Sequence, residues 1–354
     1  MAITWLNNND RPVLIAGPCS AETEEQVLQT ATRLFRTGKV DVLRAGIWKP
    51  RTRPDAFEGV GTKGLPWLQK AKELTGLPVA VEVAKASHVE LCLEFGIDIL
   101  WIGARTTVNP FAVQEIADAL KGVDIPVLVK NPINPDLALW LGGVERLQKS
   151  GLTKIGAIHR GFSSAGEKIY RNRPQWQIAI DFKTEMPDIP MINDPSHICG
   201  RRDMLQAVAQ KAMDLNFDGL MIESHTNPDA AWSDAAQQIT PEVYGQLISE
   251  LVLRTIDHPT DLAQNTKLER LRKQIDMIDE EILSILASRM KIAREIGQYK
   301  KDHNMTILQS NRWKNVLDKY LELGNQHGLS DEFISKIIKS IHDESIEQQG
   351  KVMS

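Results

Sequence analysis

Up to about residue 256 the chain alternates short apolar runs with polar loops and helical patterns. The runs are Val13–Ala16, Val42–Ala45, Val79–Val83, Ile99–Ile102, Val127–Val129, Ile155–Ile158, Met191–Ile192 and Leu220–Ile222. Short apolar runs bounded by Gly, Pro or Asn suit strands of a parallel sheet, which are buried on both faces. Between them the spacing predicts helices over Glu24–Thr37, Thr62–Thr75, Ala86–Phe95, Phe111–Leu120, Asp136–Ser150, Asp203–Asn216 and Pro241–Ile256. Eight alternations in about 250 residues is the size of a (β/α)8 TIM barrel. A doubly wound open sheet is the alternative, but no Gly-rich dinucleotide fingerprint accompanies the runs.

Residues 257–266 are polar and read as a linker, and the rhythm then changes. From Thr260 to Ile296 there is no Gly or Pro, and Leu268, Leu271, Ile275, Ile278, Ile282, Ile285, Ile292 and Ile296 recur mostly every three or four residues. That predicts one amphipathic helix of about 38 residues, roughly 57 Å long. Its apolar stripe is too long to bury within one small domain, so the pattern predicts a helical bundle that forms a homodimer. Two further helices are predicted over Ser310–Gly324 and Ser330–Gln348, with Gly324 and Gly328 marking the turn. The expected organisation is a barrel over 1–256 and an all-α domain over 267–354.

The 354 residues are 42% apolar and 25% charged, which excludes wholesale disorder. A net charge of −4 offers no global attraction to nucleic acid or anionic membrane. Three cysteines make no disulfide framework and suit a reducing, cytoplasmic setting. The N-terminus carries Asn7, Asn8, Asn9 and Asp10 where a signal peptide needs an apolar run. No stretch reaches the ~18 apolar residues of a membrane span.

In a barrel the active site lies at the C-terminal ends of the strands. There the chain places Arg44, Lys49, Arg51, Arg105, Lys130 and Arg160, with Arg201 and Arg202 close in sequence. One such Arg is most often a surface or ion-paired residue. Recurrence at five strand ends points instead to a ligand with several phosphates or carboxylates. A second set, Cys19, His197, Glu223 and Asp234, offers S, N and O donors suited to a divalent transition metal. Cys199, His159, His225 and Asp194 are alternative donors nearby.

Gly17-Pro18-Cys19-Ser20, Lys49-Pro50-Arg51-Thr52, Gly103-Ala104-Arg105 and Asp194-Pro195-Ser196-His197, in that order, resemble the 3-deoxy-D-arabino-heptulosonate 7-phosphate (DAHP) synthases of the short type I branch. That branch is related to the octulosonate 8-phosphate synthases, which are the nearest rival. The resemblance spans about 1–256 and implies a barrel joining phosphoenolpyruvate to erythrose 4-phosphate. It implies a divalent metal, Mn2+ or another transition ion, on Cys19, His197, Glu223 and Asp234. Phosphoenolpyruvate would meet Arg44, Lys49, Arg105, Lys130 and Arg160, with Glu82, Gly103 and Ala104 nearby. Arg51 and Thr52 would hold the aldose phosphate, assisted by Arg201 or Arg202. Lys49 is the expected proton donor to the developing alkoxide. Glu82 and His159 are candidate bases for the attacking water.

The long helix carries a cation in its apolar stripe, Arg289. At about 100° per residue, Lys300 lies about 20° round from it and Arg272 about 100° away, so Arg289 and Lys300 face one cavity while Arg272 points elsewhere. Leu271-Arg272-Lys273-Gln274-Ile275-Asp276, Ala287-Ser288-Arg289, Lys300, Arg312 and Ser345-Ile346-Glu347-Gln348-Gln349 resemble the all-helical chorismate mutases. This second resemblance covers about 267–350. It implies an intertwined dimer that needs no cofactor and converts chorismate to prephenate. Arg289, Lys300, Ser345 and Gln349 would serve one site, Arg272 would reach in from the second copy, and Arg312 would bind substrate carboxylate. Gln309 and Trp313 stand where that family has acidic residues. The chain starts almost directly at its first strand, without the N-terminal regulatory extension of many relatives. The expected consequence is feedback inhibition of the barrel through the mutase domain. The contrasting expectation is a tail that only dimerises and senses ligand.

Overall fold

The computed structural model describes residues 12–50, 55, 57–254, 262–308 and 310–353, with only the backbone for 262–266, 310–312 and 314. The chain divides into two units, Met1–Ile256 and Asp257–Ser354. Among the described residues no helix is long and apolar enough to cross a membrane.

In the first unit β1 (Val13–Gly17), β2 (Val42–Ala45), β3 (Val79–Val83), β4 (Ile99–Ile102), β5 (Val127–Lys130), β6 (Ile155–His159), β7 (Met191–Asn193) and β8 (Gly219–Glu223) form a closed parallel barrel in sequence order. β8 returns to β1 with Val13 opposite Gly219 and Gly17 opposite Glu223. Five strands run one residue past their apolar runs, to Gly17, Lys130, His159, Asn193 and Glu223. An apolar count stops at the first polar or turn-forming residue, whereas backbone pairing does not.

Side chains alternate between barrel interior and helix layer, as the two-residue period of a strand requires. Val13, Ile15, Val42, Ala80, Ile99, Trp101, Leu128, Ile158, Ile192 and Met221 make the interior cluster. Leu14, Ala16, Leu43, Val79, Val81, Leu100, Val127, Val129, Ala157, Met191 and Leu220 pack outward against the helices. Two positions beyond an interior residue is again interior. That parity sends Arg44, Glu82, Lys130, Arg160, Asp194 and Glu223 toward the axis at the mouth, and sends His159 outward.

The helix layer comprises α1 (Glu24–Arg36), α2 (Gly64–Thr75), α3 (Ala86–Glu94), α4 (Ala104–Thr107), α5 (Pro110–Ala119), α6 (Leu137–Lys149), α7 (Trp176–Glu185), α8 (Pro195–Cys199), α9 (Leu205–Asp214) and α10 (Pro241–Glu250). Thr23, Asn109, Asp136 and Thr240 cap α1, α5, α6 and α10, each accepting a first-turn amide hydrogen bond. The sequence pattern did not reveal α4, α7 or α8. It also carried α10 too far. The chain leaves the helix at Leu251, where Gln210 on α9 both donates to and accepts from the Val252 backbone at 2.9 Å. These tertiary bonds replace the helical ones that would have carried α10 past Glu250.

Among the described residues the second unit has three helices, α11 (Leu262–Asp302), α12 (Ser310–Gln326) and α13 (Asp331–Met353). The helix therefore begins inside the segment read as linker. Gly324 does not mark the turn; it lies within α12, where a Cβ would sit 2.4 Å from Cγ1 of Ile334. Gly328, with φ +73°, makes the turn. The stripe stays open to water: Leu268 is 37% exposed, Ile275 58% and Ile285 67%. Among the described residues the buried apolar side chains of this unit are Ala293 and Ile334.

Candidate active sites

A cavity of about 180 Å³ opens at the mouth of the barrel, lined by Lys49, Arg105, Lys130, Arg160 and Arg171 together with Glu82, Ala104, Asn172, His197 and Asp234. Buried cations are tolerated only when paired or when a ligand completes them. Lys130 Nζ lies 2.9 Å from Asp194 Oδ2, with both side chains under 5% exposed. Arg160 donates to Asn172 Oδ1 at 2.8 Å, and burial pulls its guanidinium down to about 10. Arg105 is exposed at the rim. Arg44 is not on the cavity wall. It is 1% exposed, 3.3 Å from Glu223 Oε1, and its guanidinium rests 4.8 Å from the Trp101 ring centre. Glu82 accepts from Trp101 Nε1 at 2.9 Å. Gly103 makes room for that carboxylate, since a Cβ there would fall 2.1 Å from Glu82 Oε1.

The four donors, from the loop after β1, α8, β8 and the β8 loop, meet as two pairs. Cys19 Sγ lies 3.1 Å from Asp234 Oδ2, and His197 Nε2 lies 3.7 Å from Glu223 Oε1. Among the described residues no three acidic, Cys or His side chains are arranged as a finished metal cage. Instead, Lys49 Nζ is 2.9 Å from Cys19 Sγ and Arg171 is 2.9 Å from Asp234 Oδ1. Burial and the Glu223 charge push the Cys19 thiol up to about 12. His197 is held neutral by burial, against the pull of Asp194. Its Nδ1 lies 2.8 Å from Asp194 Oδ2 but is not aligned to donate to it, and its Nε2 lies on the Glu223 side. Glu223 Oε1 is likewise a fully buried oxygen that accepts no hydrogen bond from the described residues. Arg44 Nη1 stands 3.3 Å from the same oxygen, and the S, N and O atoms of Cys19, His197, Glu223 and Asp234 are a donor set that suits a divalent transition metal.

In the helical unit α11 and α13 align two polar pairs. Arg289 donates to Ser345 Oγ, and Lys300 Nζ donates to Gln349 Oε1 at 3.0 Å and to the Ile307 carbonyl at 2.6 Å. Ser345 and Gln349 are one turn apart on one face of α13 and are buried. Arg272 is not part of this group. It is 54% exposed and pairs with Glu269 at 2.7 Å. Trp313 stacks on His342 with ring centres 4.0 Å apart.

Residues 4–255 match the family model described as the DAHP synthetase I family, and residues 271–350 match that of chorismate mutase type II. The chain belongs to the DAHP synthetase I family. The phospho-2-dehydro-3-deoxyheptonate aldolase of Thermotoga maritima is 34% identical over 238 residues, covering 67% of this chain and 68% of its own. The crystal structure of DAHP synthase from Thermotoga maritima superposes with a TM-score of 0.62 at 33% identity, covering 68% of each chain. A 2-dehydro-3-deoxyphosphooctonate aldolase of Syntrophotalea carbinolica is 27% identical over 271 residues, covering 71% of this chain and 94% of its own. The protein is thus an enzyme with a DAHP synthase barrel and a chorismate mutase domain.

Within this DAHP synthase barrel several residues fall outside the site. Arg201 pairs with Asp203, and Arg202 with Asp229 and the Gln238 and Ala235 carbonyls, so neither lines the cavity. His159 is no base for water. Its nitrogens engage the Pro174 carbonyl and Asn193, and its ring packs among Phe162, Trp176 and Phe217. His225 is buried against Glu22, and Cys199 is a buried thiol on α8. Asp194 pairs with Lys130, accepts from the His197 amide and lies beside His197 Nδ1. Arg51, Thr52 and Gln309 lie outside the described residues, as does the Arg312 side chain. Sequence reasoning missed Arg171, Asn172 and Gln237. Arg171 bridges Asp234 to Gln237 Oε1, and Gln237 donates to Glu223 Oε2 at 2.6 Å. Arg171 and Asn172 sit in a loop and Gln237 in a single 3-10 turn, where no periodicity marks an inward side chain.

Proposed function

We propose that the barrel condenses phosphoenolpyruvate with erythrose 4-phosphate in a reaction that depends on a divalent transition metal. The observation that carries this reading is one cavity with Lys49, Arg105, Lys130, Arg160 and Arg171 on its walls and S, N and O donors beside them. Cys19, His197, Glu223 and Asp234 would hold the ion. The chemistry it supplies when bound is Lewis-acid polarisation of the aldehyde oxygen. Lys130, Arg160 and Arg105 fix the phosphate and carboxylate of phosphoenolpyruvate, and Lys49 and Arg171 border the place for the aldehyde. Arg51 and Thr52 are assigned to the aldose phosphate. The methylene carbon of phosphoenolpyruvate forms the new bond to the aldehyde carbon. Lys49 gives a proton to the alkoxide. Water then adds to the carbon bearing phosphate, and inorganic phosphate leaves. Glu82, which lines the cavity, is the base assigned to that water.

The test follows loss of the enol absorbance of phosphoenolpyruvate with erythrose 4-phosphate and Mn2+, beside an EDTA-treated control. Metal-dependent consumption that requires the four-carbon sugar supports the reading. Consumption with arabinose 5-phosphate instead assigns the octulosonate reaction of the Syntrophotalea carbinolica relative.

For the helical unit the reading is a cytoplasmic homodimer joined through the α11 stripe, with each mutase site completed by Arg272 of a second copy. Arg289, Lys300, Ser345, Gln349 and Arg312 clamp the chorismate dianion. Lys300 and Gln349 stabilise charge on the breaking ether oxygen, so no metal or nucleophile is required. Chorismate or prephenate bound there inhibits the synthase, through a difference in affinity between two states of the assembly. If saturating prephenate leaves the synthase rate of the full chain unchanged, the regulatory part falls.

A further inference from the structure

Lys49 belongs to a loop whose anchorage is unusual. Ile47, two residues earlier, is fully buried in the helix-layer core. Its carbonyl accepts from the Gly61 amide at 2.9 Å, and the Lys49 amide donates to the Glu58 carbonyl at 2.8 Å. The stretch 46–49, just after β2, is therefore tied to 58–61, just before α2, which closes the loop between them. Between those two ties stands Trp48. Its ring lies flat on that of His88, with ring centres 3.9 Å apart and 8° between planes.

His88 belongs to the first turn of α3, the helix that follows the strand carrying Glu82. It is buried, and its ring is fixed because Nδ1 accepts from the Ala84 amide at 3.3 Å. Burial holds the imidazole neutral, with its pKa lowered to about 4. The stack thus joins the β2 loop to the β3–α3 corner, two adjacent walls of the cavity. Neither ring lines the cavity.

We propose that the Trp48–His88 stack is a positioning device for Lys49, clipping the β2 loop to α3 so that the ammonium is held 2.9 Å from Cys19 Sγ. The inference rests on the proton-donor role given to Lys49 above. A stacked pair of this size corresponds to roughly a fivefold change in an equilibrium. Its loss frees the loop without touching the cations on β5 and β6.

The test uses the full chain with His88→Ala, Trp48→Ala, the double variant, His88→Phe, which keeps a stacking plane, and His88→Leu, which keeps volume only. Hydrogen exchange is read at the Lys49 and Gly61 amides, with no substrate present. Synthase kcat and the KM of phosphoenolpyruvate are read separately, and chorismate turnover by the same preparation is the internal control. Each Ala variant should speed exchange about fivefold and lower kcat about fivefold, with the phosphoenolpyruvate KM within twofold. The double variant should do no more than either single one, and His88→Phe should restore both readouts where His88→Leu does not. Unchanged exchange in either single variant, effects that multiply in the double, or equal behaviour of Phe and Leu would overturn the proposal. If exchange responds as expected while kcat does not, the stack stands and the role given to Lys49 fails.

Discussion

The barrel and the helical unit both gather cations for anionic ligands, but they do so in opposite ways. The barrel brings its described cations to one cavity within one chain. Its strands are buried on both faces, and parity sends a charged side chain inward from the mouth of six strands. The helical unit leaves its apolar stripe in water, Ile275 being 58% exposed and Ile282 48%. Eight half-exposed Leu and Ile side chains forgo roughly 10 kcal/mol of hydrophobic stabilisation. Its Arg289 and Lys300 already hold Ser345 and Gln349, while Arg272 points away. The lesson is that a helix places its polar groups by rotation about one axis, so the proposed mutase site takes groups from α13 and, on that reading, from a second copy.

The sharpest way to break the comparison is to disable each site alone. Cys19→Ala should reduce synthase kcat/KM about a thousandfold and leave chorismate turnover within twofold; Arg289→Ala should do the reverse. Steady-state assays of both reactions on each variant decide it, and a variant that lowers both equally would show that the sites are not independent. Next in size is the stripe. Ile285→Glu should convert the dimer to monomer by light scattering and lower mutase kcat/KM about a hundredfold, with the barrel reaction retained. Arg272→Ala should match that mutase loss with the dimer intact, and an equimolar mixture with Arg289→Ala protein should recover activity through hybrid sites. Failure to recover would place Arg272 outside the site.

How much was legible beforehand also differs between the regions. All eight strands were readable because burial on both faces leaves continuous apolar runs. The inward cations Lys130 and Arg160 were readable as the first charges after such runs. Parity, applied to the same runs, would have excluded His159: with Ile158 inside, residue 159 faces out and residue 160 in. Arg171, Asn172 and Gln237 were not legible, because neither a loop nor a single turn carries a period. Arg201 and Arg202 misled because closeness to His197 in sequence is not closeness in space once α8 has turned the chain. In the helical unit the rotation of Lys300 onto the Arg289 face was legible from helical geometry alone. The end of α10 was not, because a Gln210 side chain two elements away decides it.

Acid should separate the regions further. Burial lowers the pKa of His159 from 6.5 to about 4, so the folded barrel binds fewer protons there than the unfolded chain. The stability this group contributes is full above pH ~6.5 and is lost as pH falls toward ~4. At pH 5 the loss is about 2 kcal/mol. His159→Gln, which keeps a donor for the Pro174 carbonyl, should be less stable than the parent at pH 7 and close part of that gap by pH 5. Urea unfolding of both proteins at the two pH values, followed by synthase inactivation, measures it. A gap independent of pH would show that His159 does not titrate on unfolding.

The smallest expected effect carries the comparison to its end. Arg201 in the barrel and Arg272 in the helical unit look alike in one chain. Both are more than half exposed, and each is paired with an acid two or three residues away, Asp203 at 2.5 Å and Glu269 at 2.7 Å. Exposed pairs of this kind contribute little to stability. If each region were complete in one chain, both residues would be dispensable. Because the barrel site is already walled by Lys49, Lys130, Arg160 and Arg171, Arg201→Ala should change synthase kcat and both KM values by less than about twofold. The same substitution at Arg272 should be severe for the mutase. A KM for either phosphorylated substrate that rises tenfold in Arg201→Ala would mean that the barrel, too, draws on a cation held outside its cavity, and the contrast between a self-sufficient site and a shared one would no longer follow from burial alone.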